Sequence, residues 1–112
     1  MRGTSFWDSG CWNAKGVGLK YTALIEVDNS REDPEAGRRG LREELAPALK
    51  AMPGFHSALL LTAYDHGRGV AVIVFESEDD ARAIASSFAE GQEIREGVVV
   101  TRTDVLEVSA SA

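Results

Sequence analysis

Six consecutive apolar residues, Val70 to Phe75 (VAVIVF), restrict the possible folds more than any other segment. A strand with one face in water alternates apolar and polar residues, and this run does not alternate. A second run, Phe55 to Tyr64 (FHSALLLTAY), also places several apolar residues in succession. The short loop between the two runs, Asp65 to Gly69, has the glycine-bearing chemistry of an antiparallel hairpin. The sequence therefore predicts a hairpin in a sheet whose two faces are both buried.

Two further strands and two helices complete the predicted elements. Tyr21 to Val27 and Val98 to Val108 have the β-branched composition of strands. Asp33 and Pro34 are typical of a helix N-cap followed by proline at the first helical position. Apolar residues then recur at spacings of three and four up to the stop at Pro53-Gly54. The second helix is predicted from Ser77 to Gly91, because Ser77-Glu-Asp-Asp80 resembles a capping box.

The first helix carries three residues that weaken it. Gly37 and Gly40 lower the helix propensity of its first half. Pro47 removes a backbone donor from its second half. We therefore expect a kink or a break near Ala46.

The predicted order is β-α-β-β-α-β, which defines an α+β, ferredoxin-like fold. Right-handed crossovers place both helices on one face of a four-stranded antiparallel sheet with strand order 4-1-3-2. The domain covers residues 19–112. Because two helices cover only one face, we expect a homodimer in which a second copy shields the apolar open face.

Residues 1–18 differ from the rest and are predicted to be a flexible leader. An alternative use is an arm in which Phe6, Trp7 and Trp12 dock on a partner chain. Cys11 is expected to be an incidental thiol, since Lys15 alone is little support for a reactive one. This segment has no apolar stretch typical of a secretory signal, so we expect a cytoplasmic protein.

Charge and hydropathy exclude several classes of function. The chain has 12 Lys and Arg against 18 Asp and Glu, a net charge of -6. A nucleic-acid-binding surface needs clustered cations, so no nucleic-acid partner is expected. No apolar run reaches 18 residues, so no membrane span is expected. A single cysteine precludes an internal disulfide.

The element order, together with two local motifs, resembles a known superfamily. Pro53-Gly54-Phe55 opens the second strand, and Phe75-Glu76-Ser77-Glu78 leads the third strand into a helix. From Leu19 to Val108 the chain resembles the dimeric α/β-barrel superfamily, and within it the domains grouped with antibiotic-biosynthesis monooxygenases. The resemblance implies a dimeric barrel. Members of the superfamily include cofactor-independent oxygenases, haem-degrading enzymes and isomerases.

Glu26 is the first candidate for catalysis. It lies among apolar residues of a central strand, where a carboxylate in a partly dry cavity can act as a base. The alternative is a structural ion pair with Arg102 on the adjacent last strand. Arg102 is also kept as a candidate ligand-binding residue.

His56 and Tyr64 are the other candidates. They are eight residues apart, so strict alternation would place both side chains on one face of the second strand. If that face meets the partner, they would line a ligand cavity, with His56 as a proton carrier and Tyr64 as a ligand contact. The alternative for His56 is a surface hydrogen bond. His66, in the hairpin loop, is expected to be solvated.

No metal or cofactor is predicted. Two histidines ten positions apart and one cysteine do not match the spacing of common metal sites. Haem breakdown in the resembled superfamily involves a histidine on the second helix and a nearby tryptophan. Residues 77–90 contain no histidine, and both tryptophans precede residue 19. The sequence therefore disfavours haem degradation.

Two functions remain open at this point. One is an antibiotic-biosynthesis-monooxygenase-like protein that holds a small apolar or aromatic molecule between helices and sheet, without a cofactor. The other is a non-catalytic module of the same fold that binds such a ligand or serves as a stress or pathway accessory. The identity of the ligand is left undefined by the residues.

Overall fold

The computed structural model describes residues 19–112 as one α+β domain. The predictions made for residues 1–18, the leader with its aromatic arm and Cys11, lie outside the described residues. The elements follow in the order β1 (Tyr21–Asp28), α1 (Pro34–Gly40), a π turn (Leu41–Leu45), α2 (Ala46–Lys50), β2 (Phe55–Ala63), β3 (Arg68–Phe75), α3 (Glu78–Ser86), β4 (Glu93–Arg95) and β5 (Val98–Glu107).

The described strands form one antiparallel sheet of order β2-β3-β1-β5-β4. The prediction of four strands in the order 4-1-3-2 was incomplete, because the sheet has a fifth strand and a correspondingly longer order. The four long strands keep the predicted neighbours, and β4 adds a short edge beside β5. The signal for this edge is the two-residue connection Glu96-Gly97, in which Gly97 adopts a φ of 83°.

The core lies between α3 and one face of the sheet. Side chains at alternate positions of β1 and β3 point toward the helices. The largest fully buried side chains are Ile73 and Phe75 on β3, Val100 on β5 and Leu49 on α2. The ring of Phe55 meets Phe75 edge to face at 6.4 Å between ring centroids. Helices α2 and α3 both pack on this face of the sheet.

Both helix starts agree with the predicted caps. The Asp33 carboxylate accepts a hydrogen bond of 2.9 Å from the backbone N–H of Ala36, and Pro34 takes the first helical position. The Ser77 hydroxyl accepts one of 3.2 Å from the N–H of Asp80. Ser77 also donates to the Asp80 carboxylate at 2.9 Å. Each cap satisfies a backbone donor that the first helical turn leaves without a partner.

The expected break near Ala46 takes the form of a π turn. The N–H of Ala46 donates to the carbonyl of Leu41, five residues earlier. In a continuous α-helix the ring of Pro47 would clash with the carbonyl of Glu43, and residue 47 would have no N–H to donate. Widening the preceding turn relieves that clash, so the helix continues into α2 without ending.

The second face of the sheet carries mainly apolar side chains. Here β1 contributes Leu24, β3 contributes three valines, and the neighbouring strands contribute Leu59, Leu61 and Leu106. Leu59, Leu61 and Leu106 are 63%, 49% and 43% exposed, respectively. We call this surface the open face. Within residues 19–112, no element covers it.

Candidate functional site

The candidate site is a cavity of about 400 Å³ between the sheet and the helical segment that runs from Gly40 to Leu49. The space is open at its Gly40 end because α1 offers the sheet almost no side chains. Its only buried residues are Gly37 and Gly40, and its other side chains are three charged ones and the small apolar Pro34 and Ala36. A helix packs closely on a sheet through an apolar stripe. α1 has no such stripe, so it does not close the end of the cavity that Gly40 lines.

The cavity wall is apolar. It is formed by residues from the five strands, the π turn, α2 and the segment after α3, among them Ile25, Val27, Leu41, Leu45, Ala48, Leu49, Leu60, Ala71, Ile73, Phe88, Ile94 and Val98. Ligand sites are commonly cavities of this size in which a few polar groups fix the orientation of the ligand. An apolar cavity of about 150 Å³ already holds benzene. This one therefore has room for a molecule of two fused rings.

Charged side chains lie only at the rim of the cavity, and three of them form its entrance. Glu32 follows the first turn after β1, Glu44 lies on the π turn, and Arg95 ends β4. The same three residues also line an outer groove of about 730 Å³. The cavity and the groove thus meet at this entrance.

Glu32 and Arg95 are joined in an ion pair. The Nε–H of Arg95 donates to Glu32 Oε2 at 2.7 Å, and Nη2–H donates to the same oxygen. The Glu32 side chain is only 14% exposed, against 37% for Arg95. A carboxylate this far from water needs its charged partner.

The two glycines of α1 make room for this pair. A Cβ at residue 40 would lie 2.3 Å from Arg95 Nη1, and a Cβ at residue 37 would lie 2.8 Å from Glu32 Oε1. The glycines that weaken α1 in the sequence therefore have a structural reason, which is close approach of the ion pair to the helix.

Glu26 lies on the other side of the sheet. Its neighbours Ile25 and Val27 line the cavity, so alternation along β1 directs Glu26 to the open face. It accepts hydrogen bonds from Arg68 at 3.1 Å and from Arg102 at 3.5 Å. The expected ion pair with Arg102 is confirmed, and Arg68 is a second partner that sequence reasoning missed.

Arg102 likewise belongs to the open face. It also donates to Asp104 Oδ2 at 3.1 Å. Glu26, Arg68, Arg102 and Asp104 thus form a charged cluster beside the apolar part of the open face. None of the four lines the helix–sheet cavity.

The structure does not bring His56 and Tyr64 together. A bulge between Phe55 and Ser57 interrupts the alternation at His56, so the predicted shared face is lost. His56 is exposed, and its Nδ1 lies 3.0 Å from the Ser57 hydroxyl. Tyr64 follows the end of β2 and packs its ring under the guanidinium of Arg38, 4.3 Å from the ring centroid. Tyr64 lines a separate pocket of about 150 Å³.

Asp28, the last residue of β1 before the turn, has a lowered pKa. The Ser30 hydroxyl donates to Asp28 Oδ1 at 2.6 Å, and the backbone N–H of Ser30 donates to the same atom at 2.9 Å. These two hydrogen bonds stabilise the carboxylate and lower the pKa of Asp28, despite a smaller opposing effect of burial. The turn is a structural feature of the loop that carries Glu32.

In the described part of the chain, no three His, Cys, Asp or Glu side chains are grouped so as to hold a metal ion. Within residues 19–112, the residues that line the cavity include no His, Cys, Tyr or Met. Haem iron in proteins is held by side chains of these types. The cavity therefore has no axial ligand to offer a haem. Nor does any helix within residues 19–112 have the length and apolar character needed to cross a bilayer.

Strand order, helix placement and the cavity together define a ferredoxin-like α+β domain. No protein-family model matches the sequence, and no curated protein matches it significantly. Among solved structures, the fold is similar to that of the heme-degrading protein Rv3592 from Mycobacterium tuberculosis, in a heme-free crystal structure with cleaved protein. The match covers 85% of this chain and 97% of that chain, with 20% identity and a TM-score of 0.55. At this identity the likeness establishes the fold alone.

Proposed function

We propose that this chain is a small homodimeric protein that binds a small apolar or aromatic molecule in the helix–sheet cavity. The observation that carries the proposal is an apolar cavity of about 400 Å³ whose charged residues lie only at the rim. Burying an apolar ligand there removes its surface from water at about 25 cal/mol per Å². The similarity of the fold to a heme-degrading protein is in line with a ligand site on this scaffold.

The homodimer is supported by the open face. Leu59, Leu61 and Leu106 remain 63%, 49% and 43% exposed in the isolated chain. Together with the valines of β3 they form a continuous apolar surface of the kind that marks interaction sites. Sheet-on-sheet packing across a two-fold axis would cover it. The charged cluster around Glu26 would then lie at one side of the interface.

A cofactor-independent monooxygenase of the resembled kind is the second candidate. Its support is the apolar wall, which would keep an oxidisable aromatic ring away from water. The candidates for catalysis named from the sequence, Glu26 and His56, do not line this cavity. Binding without turnover is therefore the first proposal. Haem degradation is not proposed, since the cavity lining offers the iron no ligand.

The test uses the neutral fluorophore N-phenyl-1-naphthylamine, whose emission rises in apolar surroundings. We expect the full-length protein to bind it. Filling the cavity with Ala71→Phe should abolish binding, because Ala71 lies on the cavity wall. The matched control is Leu59→Glu, which alters only the open face and should preserve binding. Binding that survives in Ala71→Phe and is lost in Leu59→Glu would assign the probe to the open face and overturn the proposal.

Oxygen uptake with polycyclic phenols and quinols separates the two candidate functions. Uptake that disappears in Ala71→Phe would favour the monooxygenase. A ligand-dependent rise in melting temperature without uptake would favour the binding module, since a ligand that binds only the native state stabilises it.

A further inference from the structure

The geometry points to Arg95 as the residue that selects the ligand of this cavity, by donating a hydrogen bond to an oxygen acceptor on an apolar or aromatic body. This inference rests on the proposed function and adds the chemical class of the ligand. It starts from the way in which the ion pair with Glu32 uses the donors of Arg95.

The pairing leaves one end of the guanidinium uncommitted. Nε and Nη2 both donate to Oε2 of Glu32, while Nη1 makes no hydrogen bond within the described residues. Arginine has five N–H donors in a planar fork, so a guanidinium bound to one carboxylate oxygen can still serve a second acceptor. The two N–H groups on Nη1 are the available donors.

Gly40 determines which way this free end faces. Arg95 Nη1 is the atom closest to where a Cβ of residue 40 would be, at 2.3 Å. Gly40 and Arg95 both line the cavity and both line the outer groove. Nη1 therefore lies at the entrance, where a bound molecule passes from the groove to the apolar wall.

The second carboxylate oxygen of Glu32, Oε1, lies on a different side of the ion pair from Arg95 Nη1. Glu32 Oε1 lies beside Gly37, and Gly37 lines the small pocket next to Tyr64 and not the cavity. A ligand at the entrance thus meets the Nη1 donors on the Gly40 side of the ion pair, while the free oxygen of Glu32 lies on the Gly37 side. The complementary group on a ligand is an acceptor oxygen, either a ketone or quinone carbonyl or a carboxylate.

The charges near Arg95 Nη1 affect the binding of a neutral carbonyl and of a carboxylate differently. Glu32 offsets the charge of Arg95, and Glu44 adds a negative charge at the rim. A neutral carbonyl avoids repulsion from these carboxylates, whereas a carboxylate gains a charge-assisted hydrogen bond. Both sources share the same contact with Nη1, and the test below separates them.

Three naphthalenes of similar size serve as probes: 2-acetylnaphthalene, 2-naphthoate and 2-isopropylnaphthalene. Each is titrated against protein loaded with N-phenyl-1-naphthylamine, and displacement gives its affinity. We expect the two oxygen-bearing probes to bind more tightly than the hydrocarbon. The tighter of those two identifies the carbonyl or the carboxylate as the preferred group.

The decisive variant is Arg95→Met, which keeps an apolar stem and removes the donors. Losing the hydrogen bond to the neutral carbonyl should weaken 2-acetylnaphthalene by roughly threefold to tenfold, since Glu32 already offsets the arginine charge. Losing the bond between two charged groups should weaken 2-naphthoate by roughly tenfold to a hundredfold. The affinity of 2-isopropylnaphthalene should change less than about twofold. The matched control is Arg39→Gln, which removes a cation from the outer groove but not from the cavity, and should leave all three affinities unchanged.

Because Arg95→Met leaves Glu32 without its partner, a second variant protects the test against misfolding. Gly40→Ala keeps both charges but places a methyl group where Nη1 lies, so the guanidinium must move. It should lower the affinity of the oxygen-bearing probes and spare the hydrocarbon.

The outcomes distinguish the two proposals. Equal loss of all three probes in both variants, or no loss in either, would overturn the role of Arg95 while leaving the cavity as the binding site. If the wild-type protein binds neither the hydrocarbon nor N-phenyl-1-naphthylamine, the proposed function itself fails.

Discussion

Leu59→Glu is expected to convert a dimer into a monomer without unfolding the chain. Fully burying a leucine side chain contributes about 1.5 to 3 kcal/mol. Leu59 is 63% exposed, so covering it would contribute about 1 to 2 kcal/mol per subunit. A two-fold axis buries it twice, which gives about 2 to 4 kcal/mol, or about 30- to 800-fold in the dimer dissociation constant. Desolvating the new carboxylate adds to this loss.

Sedimentation velocity at micromolar concentration measures the effect, with circular dichroism to confirm folding. Ala83→Glu is the matched control, because it adds the same charge at an exposed position on α3, away from the open face. It should remain dimeric. A wild-type chain that sediments as a stable monomer would refute the reasoning from the open face, as would a Leu59→Glu variant that dimerises with wild-type affinity.

Three further predictions concern stability. Glu26→Gln should lower the free energy of unfolding by about 1 kcal/mol, because it removes the carboxylate between two arginines. Urea titration measures this change. Probe binding, followed by fluorescence, should stay intact, and its loss would contradict a purely structural role for Glu26. Pro47→Ala should raise the free energy of unfolding by about 1 to 2 kcal/mol, because it allows a regular α-helix. Urea titration measures this change. A crystal structure of the variant should show a hydrogen bond from the new N–H of residue 47 to the carbonyl of Glu43. Ser30→Ala should raise the pKa of Asp28 toward its ordinary 3.8, which NMR titration measures. Because the native pKa is depressed, the stabilisation by Asp28 is present above the ordinary pKa and is lost as the pH falls through the native pKa. An unchanged pKa in the variant would exclude the Ser30 hydroxyl as a cause.

Local signals in the sequence were sufficient for much of the fold. Asp33 and Ser77 mark helix starts because a side-chain oxygen close in sequence satisfies a donor of the first turn. The run Val70 to Phe75 predicted a strand that is apolar on both faces, and the structure places it between β2 and β1. These features depend on residues a few positions apart, which the sequence shows directly.

Interactions between distant residues could not be read from the sequence in the same way. Glu32 and Arg95 are 63 positions apart, and neither stands out in composition or motif. The shared face predicted for His56 and Tyr64 failed because one extra residue in a bulge interrupts alternation, and no side-chain pattern marks that bulge. The short β4 was missed because three residues are too few to show a period, although Glu96-Gly97 is typical of a tight hairpin.

The two glycines of α1 connect the weak helix to the candidate site. A side chain larger than hydrogen at residue 37 would meet Glu32, and one at residue 40 would meet the Arg95 guanidinium at the cavity entrance. Each glycine costs about 1 kcal/mol of helix stability relative to alanine. In return the Glu32–Arg95 pair can approach the helix backbone closely, and the cavity stays open at its charged entrance. A likeness of fold at 20% identity does not determine such positions, so the chemistry of this cavity follows from its own residues and not from the heme-degrading protein that shares its architecture.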